Sequence, residues 1–224
     1  MIDKIIILDT ETGGLAPPTA GVVEIAYIEI DDQCNILEEH RSLINPESEI
    51  SPIASGVHGI TAADVADAPT LTEFMGGRFL DTNTVMIGHN IAFDIRFVKP
   101  EFGLLDDLCT LKLARIIYPD APDHKLQTLM YYLGLPVAGK HNALDDVMTC
   151  YYMIKHMMST ANLSLQGLYN LAKTPIIIDK MPFGKHKGVA LNKLPINYVE
   201  WALKLDNLDD NLRYSLERLL KPKR

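Results

Sequence analysis

Cysteine is scarce in the 224-residue sequence, and the three present, Cys34, Cys109 and Cys150, lie far apart and form no CxxC pair. That spacing excludes a zinc knot or a disulfide frame as the organising device, and points to reduced thiols in a cytoplasmic protein. Long apolar runs are missing as well. None approaches the roughly 18 residues that span a bilayer, so no membrane partner is expected. Asp3 and Asp9 interrupt any apolar start, and no signal peptide is expected. No internal repeat or low-complexity tract appears. Positive charge is thin: the net charge is -8 and the pI about 5.3, which argues against broad, non-specific nucleic-acid binding.

What is present is material for a core. Hydrophobic residues make up 47% of the chain and the mean hydropathy is +0.05, so disorder is excluded as the default. The length fits one ordinary domain with a smaller second one. The charge is uneven. From Asp179 to Arg224 there are 10 Lys and Arg against 6 Asp and Glu, while the rest carries 11 against 23. An acidic body beside a basic tail suits a metal-binding core next to a segment that meets phosphates, although halves of a chain also differ by chance.

Apolar periodicity predicts a strand over Ile5–Leu8, a second over Val22–Ile30 and a third over Asn35–Ile44, joined too tightly for anything but an antiparallel meander. Pro52 opens a short helix. Thr61 is expected to cap a helix over Ala62–Val65, and Thr70 with Glu73 forms a capping box. Val85–Gly88 reads as a fourth, central strand. A helix over Ile91–Phe97 follows, stopped by Pro100 and Gly103. Leu108 begins a brief strand or turn before a helix over Leu111–Tyr118, then His124–Leu133, then a long helix from about Ala143 to Met158. Leu165–Ala172, Asn197–Leu205 and Asp209–Leu220 read as further helices. Strands alternating with helices imply an α/β layer fold, a mixed sheet with helices on its faces. A composition break at Ser159–Ser164 divides a first domain, 1–160, from a small basic C-terminal unit, 161–224, of helices and a hairpin.

The strand over Ile5–Leu8 drives into Asp9, Glu11 and the pair Gly13-Gly14. Residues two apart in a strand share a face, so Asp9 and Glu11 aim together. Like charges at the edge of a core are costly unless a cation neutralises them, and no Lys or Arg lies between Leu8 and Pro18. A divalent metal ion is one solution; a strand end running into solvent is the other. A second cluster is His89-Asn90-Ile91-Ala92-Phe93-Asp94. With Asn90 as N-cap, Asp94 falls in the first helical turn, where a negative charge is tolerated, at the strand ends where open α/β sheets bind ligands. The third is His141-Asn142-Ala143-Leu144-Asp145-Asp146. His141 and Asp146 converge only if His141 lies in the preceding loop. Asn142 as N-cap with Asp145 three residues on gives that geometry, so Asp145 serves the helix end and Asp146 turns to the sheet. Four carboxylates, Asp9, Glu11, Asp94 and Asp146, without thiolates suit Mg²⁺ or Mn²⁺. Such a set can hold two ions about 4 Å apart, and a histidine has the pKa to deprotonate water near neutrality.

Asp9-Thr10-Glu11-Thr12-Gly13-Gly14-Leu15, His89-Asn90-x-x-Phe93-Asp94 and His141-x-Ala143-x-x-Asp146 together resemble the three motifs of the DEDD superfamily of 3′→5′ exonucleases, histidine subtype, which includes polymerase proofreading subunits. The resemblance implies an RNase H-like sheet and two Mg²⁺ ions, with Mn²⁺ able to substitute. Asp9, Glu11, Asp94 and Asp146 are then the metal ligands, and His141 the general base. It implies hydrolysis of terminal phosphodiesters at DNA 3′ ends, single-stranded or duplex, to nucleoside 5′-monophosphates, in repair or replication. Thr10, Thr12 and Leu15 would line the pocket for the last nucleotide, and Asn90 is carried as a further substrate contact. Val57-His58-Gly59-Ile60-Thr61 resembles the segment whose histidine meets the terminal phosphate, which assigns His58. Where proofreading subunits place a glutamate five residues earlier, this chain has Ile53. Leu108–Arg115 and Phe183–Gly188, with Tyr198 and Trp201, resemble stretches of one family member. An RNA 3′-trimming exoribonuclease uses the same five residues and stays open, as does a non-catalytic nucleic-acid-binding module, although a pure binder has no need of the intact acid set. A homodimer stays open too.

Of the remaining residues, Phe93 reads as core, His89 as a structural hydrogen-bonder and His124 as a helix cap. Lys185, His186 and Lys187 between glycines form a turn able to present cations to phosphates, or a plain solvated turn. Tyr198, Trp201 and Leu205 fall at helical spacing and read as a small core rather than a base-stacking site.

Overall fold

A computed structural model describes residues 3–136, 142–205 and 208–220. It divides into two compact units, 1–172 and 173–224.

In the first unit a five-stranded sheet has the order β3-β2-β1-β4-β5. The strands are β1 (Lys4–Thr12), β2 (Val22–Ile30), β3 (Ile36–Leu43), β4 (Phe79–Gly88) and β5 (Phe102–Cys109). β1, β2 and β3 form the expected antiparallel meander, while β4 and β5 run parallel to β1. β1 therefore takes the middle place expected of β4. The side chains of β1 alternate between two cores. Ile7 packs with Ile28, Ile87 and Leu108 under α4 (Thr110–Ile117), α5 (Leu126–Tyr132), α6 (Ala143–Ala161) and α7 (Leu165–Ala172), against residues such as Leu113, Leu129, Val147 and Leu168. Ile6 and Leu8 face the other way, onto Ile25, Tyr27 and Met86, with Met75 from α2 (Leu71–Met75) and Phe97 and Val98 from α3 (Ala92–Val98). Each such fully buried aliphatic side chain contributes about 1.5–3 kcal/mol. The two layers thus fix the direction of β1, and with it the aim of whatever follows Leu8.

Several elements differ from expectation. Asp64 takes both the backbone N–H and the hydroxyl of Thr61 on one carboxylate oxygen, at 2.7 and 2.6 Å, and closes a turn where a helix over Ala62–Val65 is expected. The helix α1 (Pro52–His58) does form, capped by the Ser51 side chain. β4 begins at Phe79, six residues early, because Phe79 stacks on Phe102 at 5.0 Å and extends the pairing past the polar stretch Asp81–Thr84. Gly103 lies inside β5: a Cβ there would sit 2.1 Å from the Leu80 carbonyl oxygen, so its role is close strand approach. α7 contributes Leu165 and Leu168 to the first core, which carries the first unit through Ala172 and past the expected boundary at 160. Among the described residues no helix is long and apolar enough to cross a membrane.

The second unit holds α8 (Ile196–Ala202) and α9 (Asp210–Leu220) around Met181, Leu191, Tyr198, Val199, Leu212 and Leu216. An antiparallel bridge between Lys180 and Ala190 closes a hairpin whose tip is a 3-10 turn over Gly184–His186. Tyr198 is buried as expected, but Trp201 is 47% exposed and belongs to the surface.

Candidate active site

The site is built where β1 leaves the sheet. Asp9 and Glu11 lie on the Ile7 side of the strand, the side covered by α6, and Thr10 on the Leu8 side, toward α3. Thr10 reaches α3 with two hydrogen bonds to one oxygen of Asp94: its backbone N–H at 3.1 Å and its hydroxyl at 2.7 Å. Asp94 sits in the first turn of α3, buried, with Ile91 as N-cap. Asn90 is therefore not the cap. It stands one residue earlier with φ +67°, exposed and outside the cleft described below.

α6 supplies the fourth acid. Asn142 caps it, its side-chain oxygen accepting the Asp145 N–H at 3.0 Å, and the Asp145 carboxylate accepts back from the Asn142 amide at 2.6 Å. Asp145 serves the helix end, as expected, and Asp146 accepts from the Gln127 amide of α5 at 2.7 Å. His141 lies outside the described residues.

Two groups missing from the sequence reading hold this geometry. Glu24 of β2 lies directly opposite Glu11 in the strand register and is 2% exposed. Like charges directly opposed across a strand pair destabilise it. Glu24 is neutralised on one oxygen by Arg41 at 2.7 Å, and with the other it accepts the Ala143 N–H at 3.1 Å, the first residue of α6. A helix N-terminus favours such an anion. Glu24 thereby ties β2 to the start of the helix that carries Asp146. Gln127 orients Asp146 from α5.

Electrostatically the acids form one body. Burial first, then Asp94, Asp146, Glu11 and Glu24, push the Asp9 carboxyl well above the usual carboxylate range. Glu11 is pushed up to about 7 by burial and by Asp146, Glu24 and Asp94. Asp94 rises to about 6 because burial outweighs the hydrogen bonds from Thr10. Among the described residues no Lys or Arg pairs with Asp9 or Glu11. Nor do three His, Cys, Asp or Glu side chains among those residues close on one point at ligand distance. Asp94 is held on Thr10 and Asp146 on Gln127 instead. The donor set still fits a hard divalent cation: carboxylates only, mutually repelling, buried, and short of positive charge.

A cleft of about 650 Å³ opens beside this cluster. Thr10, Glu11, Thr12, Leu15 and His58 line it, as do Ile53 and Val57 of α1 and Phe93 of α3. The Thr12 hydroxyl is used inside the turn, donating to the Gly14 carbonyl at 2.7 Å, just as that of Thr10 is used on Asp94. Gly13 is pinned by Gly21 and Ser51, and a Cβ on it would press on the Glu49 carbonyl at 3.1 Å. Leu15, Ile53 and Val57 are exposed, at 83%, 83% and 72%. Phe93, expected in the core, is half-buried and faces the cleft, with Arg96 over its ring at 5.1 Å. His58 accepts the Ile60 N–H on Nδ1 at 3.0 Å, while Nε2 is buried without a partner among the described residues. His89 is structural, bonded to Thr110 and to the His124 carbonyl; His124 is no cap, since Lys125 takes that position.

Comparison with known proteins agrees with this picture. Exodeoxyribonuclease 10 of Escherichia coli (strain K12) is 29% identical over 226 aligned positions, covering 96% of this chain and 98% of that protein. DNA polymerase III subunit epsilon of Treponema pallidum (strain Nichols) is 28% identical and covers 75% of this chain and 83% of that one. Exonuclease X in complex with 5′ overhanging duplex DNA superposes with a TM-score of 0.62 at 27% identity, over 75% of this chain and 99% of that one. Exonuclease I of E. coli in complex with a dA16 oligonucleotide superposes equally well, at 0.62, but at 19% identity shares the fold alone. The mixed five-stranded sheet with flanking helices is thus the RNase H-like exonuclease fold. Residues 166–210 match a family described as putative quorum-sensing-regulated virulence factor. Residues 6–154, two thirds of the chain and all of the acid cluster, match the family described as Exonuclease (RNase_T), whose members depend on divalent metal, and the chain belongs to that family.

Proposed function

We propose that this chain is a 3′→5′ exodeoxyribonuclease that removes nucleoside 5′-monophosphates from DNA 3′ ends, using Mg²⁺ with Mn²⁺ able to substitute. One observation carries the reading: Asp9 and Glu11 of β1, Asp94 of α3 and Asp146 of α6 form a single, under-neutralised anionic cluster at the head of an apolar cleft. DNA is the preferred substrate because the relatives are named as an exodeoxyribonuclease and as an exonuclease in complex with duplex DNA.

The roles divide as follows. Asp9, Glu11, Asp94 and Asp146 would hold the metal, with Asp94 and Asp146 turning from Thr10 and Gln127 to do so. When bound, two divalent ions supply charge neutralisation for both the attacking and the departing oxygen of the phosphodiester. Leu15, Ile53 and Val57, left exposed at the cleft, grip the terminal base and sugar by apolar contact. His58 accepts on Nδ1, so its proton is on Nε2, and that N–H donates to a phosphate oxygen. His141, one residue before the α6 cap, takes the proton of the attacking water. The water oxygen bonds to phosphorus, the P–O3′ bond breaks, and the departing 3′ oxygen gains a proton from solvent.

The test is a ladder. Single-stranded DNA, duplex DNA and RNA, each labelled at the 5′ end, are incubated with the protein in Mg²⁺, with EDTA as control. Progressive shortening of DNA that EDTA stops is expected. Shortening of RNA faster than DNA would overturn the substrate assignment, and no shortening in Mg²⁺ or Mn²⁺ would overturn the activity.

A further inference from the structure

The second unit carries a pocket of its own, of about 730 Å³, lined by Gly184, Lys185, His186, Asn197, Tyr198 and Trp201. Its construction is specific. Gly184, with φ +69°, lets the hairpin tip fold down onto Tyr198: a Cβ at Gly184 would lie 2.6 Å from the tyrosine hydroxyl. The Tyr198 ring is the hub. Lys185 Nζ sits 5.5 Å from its centroid, the His186 ring meets it edge-on at 4.5 Å, and Trp201 leans against it at 5.0 Å. Tyr198 is only 7% exposed, and its hydroxyl has no hydrogen-bond partner among the described residues. Buried polar groups are nearly always paired, so the covered, unpaired hydroxyl is a departure from the usual rule at the base of this pocket.

Three features coincide here. Trp201, one turn along α8 from the buried Tyr198, keeps 47% of its surface in water. The turn sets Lys185 and His186 in the same pocket wall, with Lys187 exposed at the end of the turn. The unit as a whole, 173–224, has eleven Lys and Arg against six Asp and Glu, a net +5 in a chain of net -8. An exposed aromatic face beside fixed cations is the pattern that holds single-stranded nucleic acid, with bases on the ring and phosphates on the amines. We infer that this pocket is a second, non-catalytic site that grips single-stranded DNA, Trp201 stacking a base and Lys185 and Lys187 meeting the adjoining phosphates. The choice of DNA rests on the activity proposed above. The site itself rests on the second unit alone.

Trp201 is the only tryptophan of the chain, which makes the test direct. The full-length protein in EDTA, where nothing is cleaved, is titrated with oligothymidylate of about twelve nucleotides, a length within the usual range for such platforms. Quenching of the tryptophan emission is expected, and it should weaken as salt is raised. Binding of a fluorescein-labelled copy is then followed by anisotropy in Trp201→Ala and in the double variant Lys185→Ala, Lys187→Ala. Loss of one stacked base weakens binding about 5- to 150-fold, and loss of two phosphate contacts flattens the log–log salt slope by about 1.4. Cleavage of a trinucleotide, shorter than the roughly four nucleotides that such a platform takes, stays unchanged in both variants. The proposal falls if the oligonucleotide does not quench. It also falls if both variants bind like the parent, or if inorganic phosphate or thymidine monophosphate quenches as fully as the strand. Unaltered ladders with failed quenching remove this site and leave the activity standing; quenching in a protein that cuts nothing does the reverse.

Discussion

Asp9→Asn should stabilise the metal-free protein while destroying its activity. Burial pushes Asp94 from the usual 3.8 to about 6, and burial together with Asp94, Asp146 and Glu11 pushes Asp9 well above the usual carboxylate range. A tenfold change in a proton equilibrium is about 1.4 kcal/mol, so holding Asp94 ionised at pH 8 costs the fold about 3 kcal/mol. Replacing Asp9 with its neutral isostere removes the buried acid on which Asp94, Asp146, Glu11 and Glu24 all bear, and should raise Tm in EDTA. For a unit of 172 residues each kcal/mol recovered is a rise in Tm of about 2–4 °C. The sign with pH follows from linkage. Glu11 and Asp94 keep their protons in the folded chain up to about 7 and about 6, whereas the unfolded chain loses them near 4. The folded state binds more protons in that window, so these groups make the metal-free protein lose stability as pH rises from 5 to 8. Asp9→Asn should flatten that decline. Saturating Mg²⁺ should reverse it in the parent, by about 2.7 kcal/mol at a hundredfold excess over Kd, and leave Asp9→Asn unmoved. Thermal melts by circular dichroism at pH 5, 6.5 and 8, in EDTA and in Mg²⁺, decide the matter. A variant that melts below the parent at pH 8 in EDTA refutes the picture of an under-neutralised cluster.

Other substitutions separate holding from positioning. Asp146→Ala should lower turnover by at least about a thousandfold with the fold intact, while Asp145→Ala keeps turnover within about tenfold and loses about 1 kcal/mol of stability with the cap; equal losses of turnover in steady-state assays would sink the division of labour between these neighbours. Glu24→Gln should lower metal affinity without removing a metal ligand, because it slackens the start of α6; calorimetric titration with Mn²⁺ that matches the parent would disprove this. Leu15→Ala with Ile53→Ala should raise KM several-fold with kcat little changed, since apolar grip on the last nucleotide is uniform binding. Tyr198→Phe should leave Tm unchanged or raise it, because it deletes a buried, unpaired hydroxyl.

The layer architecture was legible because β1, β2 and the helical segments carry strong periodicity. Ile5 to Leu8 is apolar throughout, and the meander connections are too short for any other pairing. Failures fell where a local rule lost to a tertiary contact. Asp64 outbid a helix by taking two donors from Thr61. The polar start of β4 became strand because Phe79 finds Phe102, a contact 23 residues distant that no window can see. Gly103 reads as a stop in sequence and acts as a point of close approach between strands.

The acids of the cluster were legible for a different reason: each falls where an apolar run meets a carboxylate or within the first turns of a helix. Glu24 breaks no pattern. It sits inside β2 among Val22, Val23 and Ile25, and only the register reveals that it faces Glu11 and reaches Ala143. That placement explains how β2 tolerates a glutamate directly opposite Glu11. Of the two opposed glutamates, Glu24 is neutralised by Arg41 and spent on the helix N-terminus, which leaves Glu11 as the one whose charge awaits a cation. Arg41 thus acts on the site without touching it. Arg41→Met would leave the buried Glu24 with only the Ala143 N–H and the start of α6 to offset its charge, and should lower stability, by less than the loss of a fully buried partner because Arg41 is itself half-exposed. Arg41→Met with Glu24→Gln removes both charges and should restore most of that loss in denaturant melts. If the double variant is no more stable than Arg41→Met alone, Arg41 acts by some other contact, and Glu24 is not what anchors α6.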